Sequence, residues 1–335
     1  MVKTENRIKQ IDMARGIAII LVIIGHAISD SNVMFNKFIL SFHMPLFFVI
    51  SGMCFSPQKS LFGFLNFVKK QIKKLLLPQM ILGLIDIIYH FILYLFHIEN
   101  SIKNPLLSVF GWWFLLVAFF LSLIIEILKR IDLLSSNIKL IIIFMIDIVL
   151  CFVLLIFKWP YEGYYILYIN VIPFAMAYYF AGIAFKTIYL KVLNKNSYRY
   201  LMFIVGILLC LLTFYIAQIN TPVTMFNNNY GNVGLFICSA GMGIIAVFLF
   251  SIVLKNNIIE WCGNYSIIIY VLQFHVNMVL NFFVRKIMVS FDTYIQTIVV
   301  VIFSIIVVLM LSLFCSKYLW FLFGIRRGRI NQEKV

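Results

Sequence analysis

The chain has 335 residues, of which 64% are hydrophobic and only 12% charged, with a formal net charge of +15. A water-soluble domain carries about 25% charged residues, so there is too little polar sequence here to cover a globular surface. An ordinary soluble enzyme, a disordered chain and a fibrous protein are excluded. The expected fold class is all-α: a polytopic integral membrane bundle of about ten transmembrane helices, read as a single domain over residues 1–335 with no appended soluble domain.

A helix needs about 20 apolar residues to cross a bilayer core of ~30 Å. Ten segments satisfy this, at approximately 9–28, 38–56, 75–97, 110–128, 139–157, 166–185, 199–219, 232–254, 264–284 and 294–323. The first follows Lys3, Arg7 and Lys9 and ends at Ala27-Ile28-Ser29, a pattern shared with a cleavable signal. Two features argue for a retained span: no soluble domain follows, and the run contains Arg15 and His26. With the N-terminus inside, inner loops hold 21 of the 27 Lys and Arg residues and outer loops five. That asymmetry predicts both termini in the cytoplasm of a multi-pass cell-membrane protein. It also accounts for the net charge through topology and membrane lipids, so nucleic acid is not needed as a partner.

An ionisable residue inside a span is costly and marks a functional candidate. In the first segment Arg15 and His26 are eleven residues apart. At about 100° per residue this returns to within about 20° of the starting direction, with ~16 Å of rise between them. Asp12 and Asp30 fall on the same predicted stripe, which must face a cavity or a partner helix. The structural alternatives are that Arg15 snorkels or pairs with Asp12, and that His26 is an interhelical hydrogen bonder.

The second segment opens Ser41-Phe42-His43-Met44-Pro45 and runs to Ser51-Gly52. His43 lies one loop away from His26. Pro45 suits a helix start, and Ser51-Gly52 permits close helix approach, with Ser51 also a candidate substrate contact. A basic stretch follows: Lys69, Lys70, Lys73 and Lys74, then Pro78. Lys70, Lys74 and Pro78 share a spacing of four, and the lysines can hold either donor phosphates or anionic lipid headgroups.

Trp112-Trp113-Phe114-Leu115 opens the fourth segment. A second aromatic cluster, Trp159, Tyr161, Tyr164, Tyr165 and Tyr168, marks another outer boundary. Such rings stack on sugars or form an interfacial belt. Asp86 and His90, four apart, and Asp147 are further intramembrane polar residues. Residues 224–232, rich in Asn and free of cations, form an outer loop that either binds a glycan or simply connects. Glu260, Gln273 and His275 frame the ninth segment. The six cysteines, Cys54, Cys151, Cys210, Cys238, Cys262 and Cys315, show no paired or ligand spacing. They read as small apolar residues, with no metal site.

Taken in order, these elements resemble membrane acyltransferase family 3. The resemblance rests on Arg15 and His26 with ten residues between them, on Phe47-Phe48-Val49-Ile50-Ser51-Gly52, and on Lys70, Lys74 and Pro78. It extends to Trp113-Phe114-Leu115 and to Asn264-Tyr265-Ser266 followed by Ile269-Tyr270. Two positions depart from the family pattern: Lys stands where Arg is common in the basic element, and Gln273 stands where the ninth-span motif often ends in His. The resemblance implies O-acylation, usually O-acetylation, of an extracytoplasmic or lipid-linked glycan. The implied donor is cytoplasmic acyl-coenzyme A, most simply acetyl-CoA.

Acyl transfer to a sugar requires a base for the hydroxyl, positive charge at the developing oxyanion and a grip on the donor. Histidine is the usual base near neutral pH. The expected roles are His26 as general base with Asp30 as its orienter, Arg15 on the donor's phosphate or thioester carbonyl, and His43 on the acceptor or intermediate. Lys70 and Lys74 are expected on donor phosphates, and Trp113 and Ser51 on the sugar. The rival reading from the same composition is a transporter or flippase for a lipid-linked glycan. An internal repeat would favour it, and none is visible.

Overall fold

A computed structural model describes residues 8–28, 30, 32–56, 63–96, 113–157, 168–193 and 198–323. The helices are α1 (Lys9–Ile28), α2 (Met34–Leu40), α3 (His43–Met53), α4 (Phe64–Gln71), α5 (Leu77–Leu95), α6 (Trp113–Arg130) and α7 (Asn137–Phe157). They continue with α8 (Ile172–Leu193), α9 (Arg199–Ile219), α10 (Val233–Val253), α11 (Asn257–Asn264), α12 (Ser266–Ile287) and α13 (Thr293–Tyr318). A π-helical turn at Ile72–Leu76 joins α4 to α5.

Among the described residues, nine helical segments are long and apolar enough to cross a membrane. They coincide with nine of the ten expected segments. The fourth is helical as α6, but Glu126, Lys129 and Arg130 load its last turns with charge, and it does not qualify by composition. The expected second span is two helices: the chain turns at Ser41 and Phe42 between α2 and α3. Pro45 lies in the first turn of α3, where a missing N–H costs no intrahelical bond.

The contacts divide the chain into two compact units. The first comprises Met1–Phe55, Tyr178–Met225 and Asn229–Met310; the second comprises Ser56–Ala177, Phe226–Asn228 and Leu311–Val335.

In the first unit α1 is the hub, packing against α2, α3, α10, α11 and α12. Its tightest partner is α11, and the reason is glycine at both faces of the contact. A Cβ at Gly16 would fall on the carbonyl of Ile259, and one at Gly263 on the carbonyl of Asp12. Backbone therefore meets backbone, the approach that small residues permit between membrane helices. The start of α11 is held by Asn256, whose side-chain oxygen accepts from the N–H groups of Ile258 and Ile259 at 2.9 and 3.1 Å. This side-chain cap satisfies donors that the helix leaves unpaired. A second close approach joins α3 to α8, with Gly52 against the Tyr179 carbonyl and Gly182 against that of Val49. Buried Tyr189 satisfies its hydroxyl on Ser251 of α10 at 2.9 Å, as a phenol in apolar surroundings must.

In the second unit the π-turn packs against α4, α5, α6 and the short 3-10 turn Trp320–Phe323. Glu126 of α6 is buried and accepts from Arg130 Nη2 at 2.9 Å, with Lys129 Nζ at 3.5 Å. The Arg130 guanidinium also lies 5.7 Å from the centroid of the Phe64 ring.

The glycine contact predicts the effect of small substitutions. Gly263→Ala drives a methyl group into the Asp12 carbonyl, and overpacking of this kind costs about 1–3 kcal/mol. Gly241→Ala in α10 meets nothing within 4 Å and is expected to be neutral or stabilising. Thermal unfolding of the two variants in detergent should show a lowered midpoint for Gly263→Ala only.

Candidate active site

The site in the first unit starts from α1. Where α11 presses on its first turns, Asp12 is buried and Arg15 is partly open. Arg15 Nη1 donates to Asp12 Oδ1 at 3.1 Å, and Nη2 points at Cys54 Sγ at 3.6 Å. A guanidinium has five N–H donors, so this pairing leaves donors over for a ligand. Of the two structural alternatives for Arg15, pairing with Asp12 is the arrangement found.

At the other end of α1, His26 is exposed. It makes no hydrogen bond among the described residues. Its ring stands edge-on to Phe274 of α12, with centroids 5.9 Å apart. His43 is buried, and its Nδ1 lies 2.8 Å from the Ile39 carbonyl oxygen. A carbonyl only accepts, so Nδ1 carries the proton and the neutral ring keeps Nε2 as an acceptor. The cause is local: in the turn between α2 and α3 the Ile39 carbonyl accepts from the Phe42 N–H at 3.3 Å, and its second lone pair is left for the His43 ring.

Other expected site residues are placed differently. The polar stripe does not extend to Asp30, because α1 ends at Ile28. Asp30 Oδ1 accepts from the backbone N–H of Asn32 at 2.9 Å and from Asn32 Nδ2 at 3.3 Å. It organises the turn into α2 and makes no hydrogen bond to His26. Ser51 is exposed, but its hydroxyl donates to the Phe47 carbonyl at 2.8 Å. Two amides flanking the α9–α10 loop are engaged internally: Asn220 bonds the backbone at Thr221, Tyr230 and Asn232, and Asn232 caps α10.

In the second unit Lys70 and Lys74 are both exposed. The spacing of four that aligned them with Pro78 assumes an unbroken α-helix. The π-turn at Ile72–Leu76 intervenes, and its wider i→i+5 winding rotates the helix beyond it. Trp113 begins α6, its ring edge-on to Phe114 at 6.1 Å. Asp86 and His90 of α5 form a pair at 3.5 Å, and Asp147 of α7 is buried. Trp112, Trp159, Tyr161, Tyr164 and Tyr165 lie outside the described residues. Among the described residues no group of three His, Cys, Asp or Glu is placed to hold a metal ion. All six cysteines are free thiols, and Cys54 and Cys238 are exposed.

The residues that sequence reasoning missed are on α12. Asn277 Nδ2 donates to the Ile23 carbonyl of α1 at 3.1 Å and approaches Gln273 Oε1 at 3.3 Å. Asn281 Nδ2 donates to the Ala27 carbonyl at 3.2 Å and to the Asn277 carbonyl at 3.0 Å. Gln273, Asn277 and Asn281 recur every fourth residue, the spacing of one helix face, and that was the available signal.

Together these features describe a multi-pass membrane protein whose first helix carries Arg15 and His26, the core of the candidate site. A family model described as an acyltransferase domain matches residues 8–317, nearly the whole chain. The chain belongs to this family, acyltransferase family 3, and is an acyltransferase acting on groups other than amino-acyl groups. No curated protein and no solved structure matches it significantly.

The contrast between the two imidazole positions is open to direct measurement. With the six native cysteines replaced by alanine, His26→Cys should react readily with a small water-soluble thiol reagent. His43→Cys should react at least about tenfold more slowly, because ordered, packed surroundings exclude reagent. Equal rates at the two positions would contradict the difference in exposure.

Proposed function

We propose that the protein transfers an acyl group, most simply acetyl, from cytoplasmic acyl-coenzyme A to a hydroxyl of a cell-surface or lipid-linked glycan. The supporting observation is the family match over residues 8–317, joined to a chain whose first helix carries an open cation near one end and an open imidazole near the other. The acetyl group, the coenzyme A donor and the glycan acceptor are inferences from that combination and from the chemistry of acyl transfer.

Arg15, already neutralised in part by Asp12, grips a phosphate or the thioester carbonyl through its remaining N–H donors. His26 takes the proton from the acceptor hydroxyl. The oxygen attacks the thioester carbonyl, the carbon–sulfur bond breaks as the tetrahedral intermediate collapses, and the proton passes to the departing coenzyme A thiolate. His43, with Nε2 held as an acceptor, contacts the acceptor hydroxyl or the intermediate. The ~16 Å of helix between Arg15 and His26 suits an extended donor whose charged end stays near the cytoplasm. Ser51 offers a polar contact for the sugar. In the second unit, Trp113 offers an aromatic face for a sugar ring, and Lys70 and Lys74 offer cations for phosphates of the donor or of lipid. Both termini lie in the cytoplasm in this reading, which the distribution of loop cations supports.

The orientation is tested with reporters at Lys3, Asn228 and Glu333. Cytoplasmic signals at the two ends and an external one at Asn228 are expected; a cytoplasmic Asn228 overturns the orientation. The reaction is tested with purified protein, acetyl-coenzyme A and the cell's surface glycan fraction. Thioester consumption coupled to glycan acetylation is expected, whereas glycan movement without thioester consumption sinks the proposal. Arg15→Ala should weaken donor binding, with Lys at that position restoring it only in part, since lysine lacks the planar fork. His26→Gln keeps size and hydrogen bonding but takes no proton productively. It should lower turnover by about 10²–10⁴-fold with donor affinity nearly unchanged.

A further inference from the structure

We propose that Asn277 and Asn281 are positioning residues for His26, acting through the backbone of α1; this rests on the reading of His26 as the base. A catalytic base must be held in a narrow range of positions, and a displacement of about 1 Å costs on the order of 10²-fold in rate. Histidine bases are usually fixed by a hydrogen bond to the second ring nitrogen. His26 has no such bond among the described residues, and the carboxylate nearest in sequence, Asp30, is committed to Asn32. Something else must set its place.

The candidates converge from one face of α12. Phe274, Asn277 and Asn281 stand at i, i+3 and i+7, the spacing of residues stacked along one side of a helix. Phe274 meets the His26 ring itself, edge-on. Asn277 and Asn281 take the carbonyls of Ile23 and Ala27, which bracket His26 along α1. The Ala27 carbonyl belongs to the last turn of α1, where carbonyls have no intrahelical donor, and Asn281 supplies one. The Ile23 carbonyl lies within the helix, so Asn277 uses its second lone pair. The amide orientation of Asn277 follows from this contact, because the reverse would set oxygen against oxygen. Two side-chain donors about one turn apart fix both the rotation and the axial position of the helix segment between them. The imidazole on that segment is thereby aimed without being touched by a polar group.

Simple helix-to-helix adhesion would use the same bonds, so the test separates adhesion from aim. Asn277→Leu and Asn281→Leu remove the donors at similar volume, and Asn281, being only partly buried, is the milder site. Each is assayed with acetyl-coenzyme A and the surface glycan fraction, alone and in a His26→Gln background. Turnover is expected to fall about 10–100-fold with the KM for acetyl-coenzyme A unchanged. In the His26→Gln background the further loss should be less than about twofold, since a base that is absent cannot be misplaced. Asn281→Gln, which keeps an amide donor, should recover part of the lost turnover. Wild-type turnover in Asn281→Leu beside an inactive His26→Gln overturns the positioning role alone. The same loss in both backgrounds assigns the asparagines to adhesion and also overturns it. Wild-type turnover in His26→Gln removes the base itself, a failure of the underlying reading that the first comparison identifies separately.

Discussion

The close approach of α1 and α11 at Gly16 and Gly263 governs the first unit. With no Cβ at either position, the backbone of each helix rests on a carbonyl of the other. This contact fixes α1 at the depth where Asp12 is covered and Arg15 is left partly open. The remaining partners of α1 then follow from its apolar faces, with Ile19, Val22 and Ile23 fully covered. In a bilayer the lipid is as apolar as the side chains, so helix association relies on tight packing and on hydrogen bonds. Both are present along α1: glycine packing against α11 and asparagine amides from α12 near its far end. A helix held at two points in this way presents its polar groups at defined positions rather than on a free cylinder.

The turn between α2 and α3 makes a comparable contribution to His43. A continuous helix through Ser41 and Phe42 would consume the Ile39 carbonyl in its own ladder. Because the chain turns, that carbonyl accepts from the Phe42 N–H at 3.3 Å and, on its other lone pair, from Nδ1–H of His43. The break is thus the cause of the defined tautomer, and Pro45 tolerates its place in the new first turn because no bond from that nitrogen is required. The π-turn at Ile72–Leu76 is a second local irregularity with a structural consequence, since four elements of the second unit pack on it.

Much of the fold was legible in the sequence because membrane helices advertise themselves as long apolar runs, and among the described residues nine expected segments reappear as helices long and apolar enough to span. What was not legible were departures from ideal winding. The stripe from Asp12 to Asp30 presumed that α1 continues four residues past His26, and the alignment of Lys70, Lys74 and Pro78 presumed regular 3.6-residue turns. Hydrophobicity carries no information on either point: a helix end before Asp30 and a π-turn at Ile72 are set by packing. For the site, Arg15, His26 and His43 stood out because ionisable groups are rare in spans. Asn277 and Asn281 did not, since an amide carries no charge and its significance lies in a carbonyl 254 residues away in sequence.

Several ionisable groups of the described helices are paired within one helix, and the contrast with His26 and His43 bears on where chemistry is possible. Asp12 with Arg15, and Glu126 with Lys129 and Arg130, are opposite-charge pairings within one helix, and Asp86 lies 3.5 Å from His90 at the same three- or four-residue spacing. Such pairs form as the helix forms and answer locally the cost of charge in an apolar medium. His26 and His43 have no carboxylate partner among the described residues, and neither needs one, because a neutral imidazole enters the membrane without a counter-ion. A neutral imidazole is also the form able to accept a proton from a hydroxyl. A carboxylate beside it would favour the imidazolium and reduce the fraction of base available. The isolation of the two histidines from the paired charges therefore suits the proposed role of His26 as a base. His26 is the exposed one of the two and His43 the buried one.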